Sequence, residues 1–215
     1  VVPTGNFGNI LAAYYAKEIG LPVNKLICAS NENNVLTQFI MTGEYNRNRE
    51  FTATVSPSMD ILISSNLERL LFELTGHDSD KVNDWMKSLT DEGYYTVDSE
   101  TRKRVQDMFW PNFSTEDETL STIKSVYEGY DYLVDTHTAV GIDVYDKYVI
   151  STGDLTRTVA VSTASPFKFN KSVAGAIIGS EAADSHDEFE LLEILSTKSG
   201  LAIPAGLKDL DKKEV

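Results

Sequence analysis

Val1-Val2-Pro3-Thr4-Gly5-Asn6-Phe7-Gly8-Asn9 runs from two β-branched residues through a glycine-spaced loop into the apolar start of a helix at Ile10. A strand end, a loop and a helix in that order form the entry unit of an α/β sheet. At such a junction, unpaired backbone N–H groups and the helix dipole favour an anion. Gly5 and Gly8 let the backbone approach a phosphate closely. The loop has no lysine-serine or lysine-threonine ending, and its glycines are wrongly spaced for the dinucleotide fingerprint G-x-G-x-x-G. The residues alone leave two readings open: an anion cradle, or a tight turn with an asparagine cap. Buried strands usually need about five residues, so Val1-Val2 looks like the tail of a cut strand. The expectation is a C-terminal piece of a longer protein, incomplete as a domain.

Outward from the loop, the pattern alternates. Asn9 to Ile19 is apolar almost all round and closes at Gly20 and Pro22, which predicts a helix buried on a sheet. Lys25 to Ser30 predicts a buried strand, and Val35 to Thr42 a short helix stopped by Gly43. After a polar loop from Glu44 to Glu50 comes a possible strand at Phe51 to Val55. Leu67, Leu70, Leu71 and Leu74 recur at helical spacing. Asp78 to Gly129 reads as a helical insert, interrupted at Tyr94 to Val97 and at Pro111. Further strands are expected at Tyr132 to Val134 and Thr158 to Thr163, with helices at Thr138 to Ser151, Lys171 to Ile178 and Glu188 to Ser196. The charged stretch Lys208 to Val215 reads as a frayed terminus. Together these predict one α/β domain with a mainly parallel sheet and helices on both faces, in three layers. Ligands then belong outside the carboxyl ends of the strands.

Composition narrows the function. The formal charge of −14 opposes sequence-independent binding to nucleic acid and to anionic membranes. A single cysteine, Cys28, excludes an intrachain disulfide and any multi-cysteine metal cluster, and makes a reducing, cytoplasmic compartment the default expectation. Cys28 sits in an apolar strand and reads as inert core. His77 and His186 have no partner spacing that suggests zinc, so no metal is expected. Arg47 and Arg49 read as a solvated loop, or as guides for an anionic substrate.

The loop Val2 to Asn9 resembles the phosphate loop of threonine synthases, pyridoxal-phosphate enzymes of fold type II. Five further segments are similar to that family: Ile27 to Asn33, Ser56 to Ile61, Ser64 to Arg69, Asp135 to Gly141 and Ser162 to Phe169. Two residues depart from it, Ser165 where many members carry histidine and Thr136 where many carry proline.

The resemblance implies that Gly5, Asn6, Phe7, Gly8 and Asn9 cradle the cofactor phosphate. It also implies that Thr163 hydrogen-bonds the pyridine nitrogen of pyridoxal 5'-phosphate; read alone, Thr163 only closes a strand. On the substrate side it points to Ser58, Asp60, Ser65, His137 and Lys168, each with a plainer reading as a cap, a packed side chain or a solvated charge. The implied reaction converts O-phosphohomoserine and water into threonine and phosphate. The Schiff-base lysine of the family lies before the phosphate loop, outside this chain, so the chain alone is expected to be inactive. Two alternatives remain: a dehydratase of the same fold type, and a non-catalytic protein that binds an anion or metabolite.

Overall fold

The structure is a computed structural model that describes residues 1–213. Its frame is a three-stranded parallel sheet ordered β1 (Val2–Pro3), β2 (Leu26–Ser30), β5 (Phe109–Phe113). Val2 lies opposite Cys28 on one side of β2, and Leu26 to Ser30 lie opposite Phe109 to Phe113 on the other. All five residues of β2 are buried, and their alternation separates two cores. Leu26 and Cys28 pack with Ile10 and Leu11 of α1 (Gly8–Glu18) and with Leu36 and Phe39 of α2 (Val35–Thr42). Ile27 and Ala29 face the other way, onto Val140, Val144 and Tyr148 of α7 (Thr136–Thr152). This is the expected α/β arrangement, with helices on both faces of a strand whose side chains alternate.

Helix α7 lies close on β1 because Gly141 has no side chain: a Cβ there would stand 3.2 Å from Pro3 Cγ. Its start is capped by Asp135, whose carboxylate accepts from the backbone N–H groups of His137 (2.8 Å) and Thr138 (3.3 Å). A further core joins α6 (Glu116–Tyr130), α8 (Asn170–Ile178) and α10 (Glu188–Ser199) through Ile123, Val173, Leu191 and Leu195.

The structure departs from the sequence expectations in several places. The span from Asp78 to Gly129 does contain α4 (Ser79–Asp91), α5 (Ser99–Met108) and most of α6, but its interruptions are strands. β4 (Tyr94–Thr96) pairs antiparallel with β3 (Glu44–Asn46), inside the stretch read as loop, and β5 joins the central sheet. Pro111 is tolerated because β5 has a neighbour on one side only within the described residues, and an edge position can lack a donor. Phe51 to Val55 is irregular chain, much of it exposed. Leu133 and Val134 are buried, yet they enter α7 as loop: their apolar content secured burial without a strand partner.

Thr158 to Thr163 is also irregular. It lies beside β1 all the same: the Val1 amine donates to Val159 O (2.7 Å), and Val161 N–H donates to Val1 O (3.0 Å). These two bonds flank Ala160 as in a parallel bridge and go no further. Within the stretch read as a frayed terminus, Leu210–Lys212 is a short 3-10 turn, and Glu214 and Val215 lie outside the described residues. Among the described residues no helix is long and apolar enough to cross a membrane.

Candidate functional site

A cavity of about 240 Å³ opens at the carboxyl end of β1. One wall is the loop Gly5 to Ile10; the other is formed by Ser58, Met59, His137 and Thr163. Residues from four distant parts of the sequence thus meet where an α/β sheet places its ligands. No lysine lines it.

The loop is built to present donors. The backbone N–H groups of Gly5, Asn6, Phe7, Gly8, Asn9 and Ile10 donate no hydrogen bond within the described residues, and α1 has no side-chain cap. The neighbouring carbonyls are tied back. Ser64 Oγ donates to Gly5 O (2.8 Å), and Asn66 donates to Asn6 O through both its side-chain amide (2.7 Å) and its backbone N–H (3.3 Å). With acceptors fastened and donors unpaired, the loop offers positive potential to an anion.

Phe7 adopts φ 64°, a left-handed conformation uncommon for a residue with a side chain. Burial of its ring against Phe109, at 5.6 Å between centroids, holds that conformation. Gly5 is required for a different reason. A Cβ there would lie 3.0 Å from Ser58 O and 3.1 Å from Met59 Cα, both backbone atoms, so its absence lets the two walls approach. At Gly8 a Cβ would meet only Asn66 Nδ2, at an ordinary 3.5 Å.

The second wall is pinned by histidine. His137 is buried, and its Nε2 accepts the backbone N–H of Ser58 at 3.1 Å. An accepting Nε2 places the proton on Nδ1, which lies 3.2 Å from Asp135 Oδ1. Burial opposes ionisation of Asp135, yet hydrogen bonds from His137 and Thr138 prevail and hold its carboxyl below the usual range. Both ring nitrogens of His137 are engaged, so in this arrangement it positions Ser58. Among the described residues, Ser58 Oγ and Thr163 Oγ1 have no hydrogen-bond partner, and both residues line the cavity.

The other residues singled out from sequence lie elsewhere. Asp60 is occupied by the protein itself: Asn31, Asn33 and Thr54 donate to its carboxylate at 2.7 to 3.0 Å, which secures the segment leading to Ser58. Ser65 is exposed and lines a separate pocket with Tyr45 and Glu68. Lys168 is exposed, its ammonium 5.3 Å from the Phe169 ring, and that ring in turn packs on His137 at 4.7 Å. Sequence reading missed Ser64 and Asn66, the two residues that fasten the loop, although both stand beside Ser65 in a segment already marked. Cys28 is buried in the core, and burial pushes its thiol up to about 12, which leaves it unreactive.

Comparison with known proteins agrees with this architecture. Residues 138–214 match the family model described as threonine synthase, C-terminal. Threonine synthase of Saccharomyces cerevisiae is 40% identical over 193 residues, covering 83% of this chain and 38% of the yeast protein. Threonine synthase-like 1 of Homo sapiens is 41% identical over 177 residues, 82% of this chain and 23% of that protein. Among solved structures, yeast threonine synthase matches with a TM-score of 0.84 at 36% identity, over 100% of this chain and 42% of that one. A threonine synthase from Brucella melitensis with pyridoxal phosphate bound matches with a TM-score of 0.79 at 36% identity, over 99% and 41%. The chain spans 38% of the yeast protein's length. Its fold is that of the fold-type II threonine synthases, and the chain belongs to the threonine synthase family.

Proposed function

We propose that this chain supplies the phosphate cradle and part of the substrate side of a threonine synthase, which converts O-phosphohomoserine and water to threonine and phosphate. The observation that carries the reading is the loop of unpaired amides, Gly5 to Ile10, with its carbonyls fastened by Ser64 and Asn66. Such a cradle fits the phosphate of pyridoxal 5'-phosphate, the group bound in the Brucella relative. When bound, that cofactor supplies an electron sink for charge developing at the substrate carbons.

The amides of Gly5, Asn6, Phe7, Gly8 and Asn9 hold the cofactor phosphate. Thr163 serves the ring nitrogen, and a neutral hydroxyl there does not enforce protonation as a carboxylate would. His137 holds the Ser58 backbone so that the Ser58 hydroxyl faces the cavity, while Asp60 secures the same segment from its far end. Lys168 and Ser65, outside the cavity lining, reach the substrate only if the segments carrying them move. None of the described residues lining the cavity is a lysine that could carry the cofactor, which supports the reading that this chain alone is inactive. The single, buried cysteine suits a cytoplasmic enzyme.

The test follows inorganic phosphate, threonine and 2-oxobutyrate together in the complete protein carrying this sequence. Threonine and phosphate in equal amount from O-phosphohomoserine are expected. Rapid 2-oxobutyrate from threonine, with no phosphate released from O-phosphohomoserine, would replace the synthase by a dehydratase. One observation favours a second reading: human threonine synthase-like 1 is 41% identical to this chain, against 40% for the yeast synthase. A synthase-like protein that binds a phosphorylated metabolite without turnover would give neither product while still holding the cofactor.

A further inference from the structure

Tyr45 is the middle residue of the three-residue strand β3 and lies opposite Tyr95 of β4, with the two rings stacked at 5.4 Å and nearly parallel. So short a pair of strands is marginal by itself. Tyr45 is nonetheless among the largest fully buried side chains, packed on Phe39 at 6.0 Å. Its hydroxyl reaches out of this aromatic cluster to the segment that fastens the phosphate loop. It accepts the backbone N–H of Ser64 at 2.7 Å and donates to Leu62 O at 3.1 Å, gripping both arms of one turn. Ser64 then donates its side-chain hydroxyl to Gly5 O at 2.8 Å. Without the phenol, the N–H of a buried serine loses its acceptor, which costs free energy that can be recovered only by moving the turn.

We propose that Tyr45 is a positioning residue for the anion loop: through the Ser64 backbone it fixes the hydroxyl that keeps the Gly5 carbonyl turned away from the cavity. The proposal deepens the functional reading above and rests on it. Burial pushes the Tyr45 phenol up to about 12, so it stays protonated and keeps both hydrogen bonds across the physiological range. The small antiparallel sheet, otherwise remote from the chemistry, thereby becomes a support of the cofactor site.

The experiment compares the complete protein with its Tyr45→Phe, Ser64→Ala and double variants. Tyr95→Phe, which removes a neighbouring buried phenol, serves as the control. Pyridoxal phosphate and inorganic phosphate are each titrated, and melting temperature is recorded. Loss of one hydrogen bond predicts about three- to tenfold weaker binding in each single variant. Because the two residues act in series, the double variant should be no weaker than the weaker single variant, and the control should bind as wild type. Unchanged binding in Tyr45→Phe, with or without a lower melting temperature, overturns the proposal, as do fully additive effects. Wild-type protein that takes phosphate but not pyridoxal phosphate removes the cofactor reading, and Tyr45 is then judged on phosphate alone. Wild-type protein that takes neither overturns both.

Discussion

The two walls of the cavity are built by opposite strategies. In the wall from Gly5 to Ile10 the backbone does the presenting: the Gly5 and Asn6 carbonyls are fastened behind it, and the amides donate to nothing among the described residues. In the wall of Ser58, His137 and Thr163 the side chains present, and the most conspicuous of them, His137, spends both nitrogens on the protein. The first wall offers unpaired backbone donors at a helix start, the kind of surface that suits an anion. The second is a frame whose exposed chemistry is reduced to two hydroxyls. An imidazole in a cavity is thus no sign of proton transfer until its partners have been counted.

The contact between the walls at Gly5 gives the largest expected effect. Gly5→Ala drives a Cβ into the backbone of Ser58 and Met59, where neither partner is a flexible side-chain end. Overpacking of this kind costs about 1–3 kcal/mol, read in chemical denaturation as a lower midpoint with an unchanged slope. No loss of stability would mean that the walls can separate freely.

Asp135→Asn tests the second wall. It weakens the cap of α7 and the carboxylate that orients His137, at an expected cost of about 1–2 kcal/mol at neutral pH. The sign with pH follows from linkage: a carboxyl held low in the folded state adds stability above its unfolded value and loses it as pH falls through the folded one. The gap between wild type and variant should therefore close as pH falls below the ordinary 3.8. A gap that stays constant down the acid limb would detach Asp135 from that ionisation.

Asn66→Ala removes the side-chain amide from the Asn6 carbonyl and leaves it only the longer bond from the Asn66 backbone N–H; it should cost about 0.5–1.5 kcal/mol, with weaker phosphate binding measured by calorimetric titration. Unaltered binding would show that the loop holds its shape without that fastener. Gly8→Ala sharpens the contrast with Gly5. The protein has room for this methyl group, so stability should change by no more than about 0.5 kcal/mol. Phosphate binding should fall, because the methyl group stands where the cradle must admit its ligand. If Gly8→Ala binds phosphate as wild type does, the cradle does not close around Gly8.

Local signals in the sequence served where each element carried its own boundary and its own apolar face. Helix α1 begins at the glycine loop and stops before Gly20, and α2 stops at Gly43; β2 needed only its run of buried residues. The donor loop was legible for the same reason, since glycine spacing between a strand end and a helix start is a local feature. The strand β5 was not. Phe109-Trp110-Pro111-Asn112-Phe113 contains a residue that disfavours both helix and central strand, and only lateral pairing with β2 makes it extended. Thr158 to Thr163 shows the converse, a β-branched run that stays irregular because a single pair of bonds to Val1 is all the ladder it finds.

What the sequence determined by itself was therefore the order loop, α1, β2, α2 at the start of the chain and the faces those elements bury. Both depend on neighbours within a few residues. What only the tertiary structure decided was the fate of polar side chains. Asp60 turned inward to Asn31, Asn33 and Thr54, His137 was claimed by Ser58 and Asp135, and Tyr45 took hold of Ser64. A hydrogen-bonding group acquires its role from whichever partner lies within about 3 Å, and some of these partners come from far along the chain: Ser58 lies 79 residues from His137, and Asn31 lies 29 residues from Asp60.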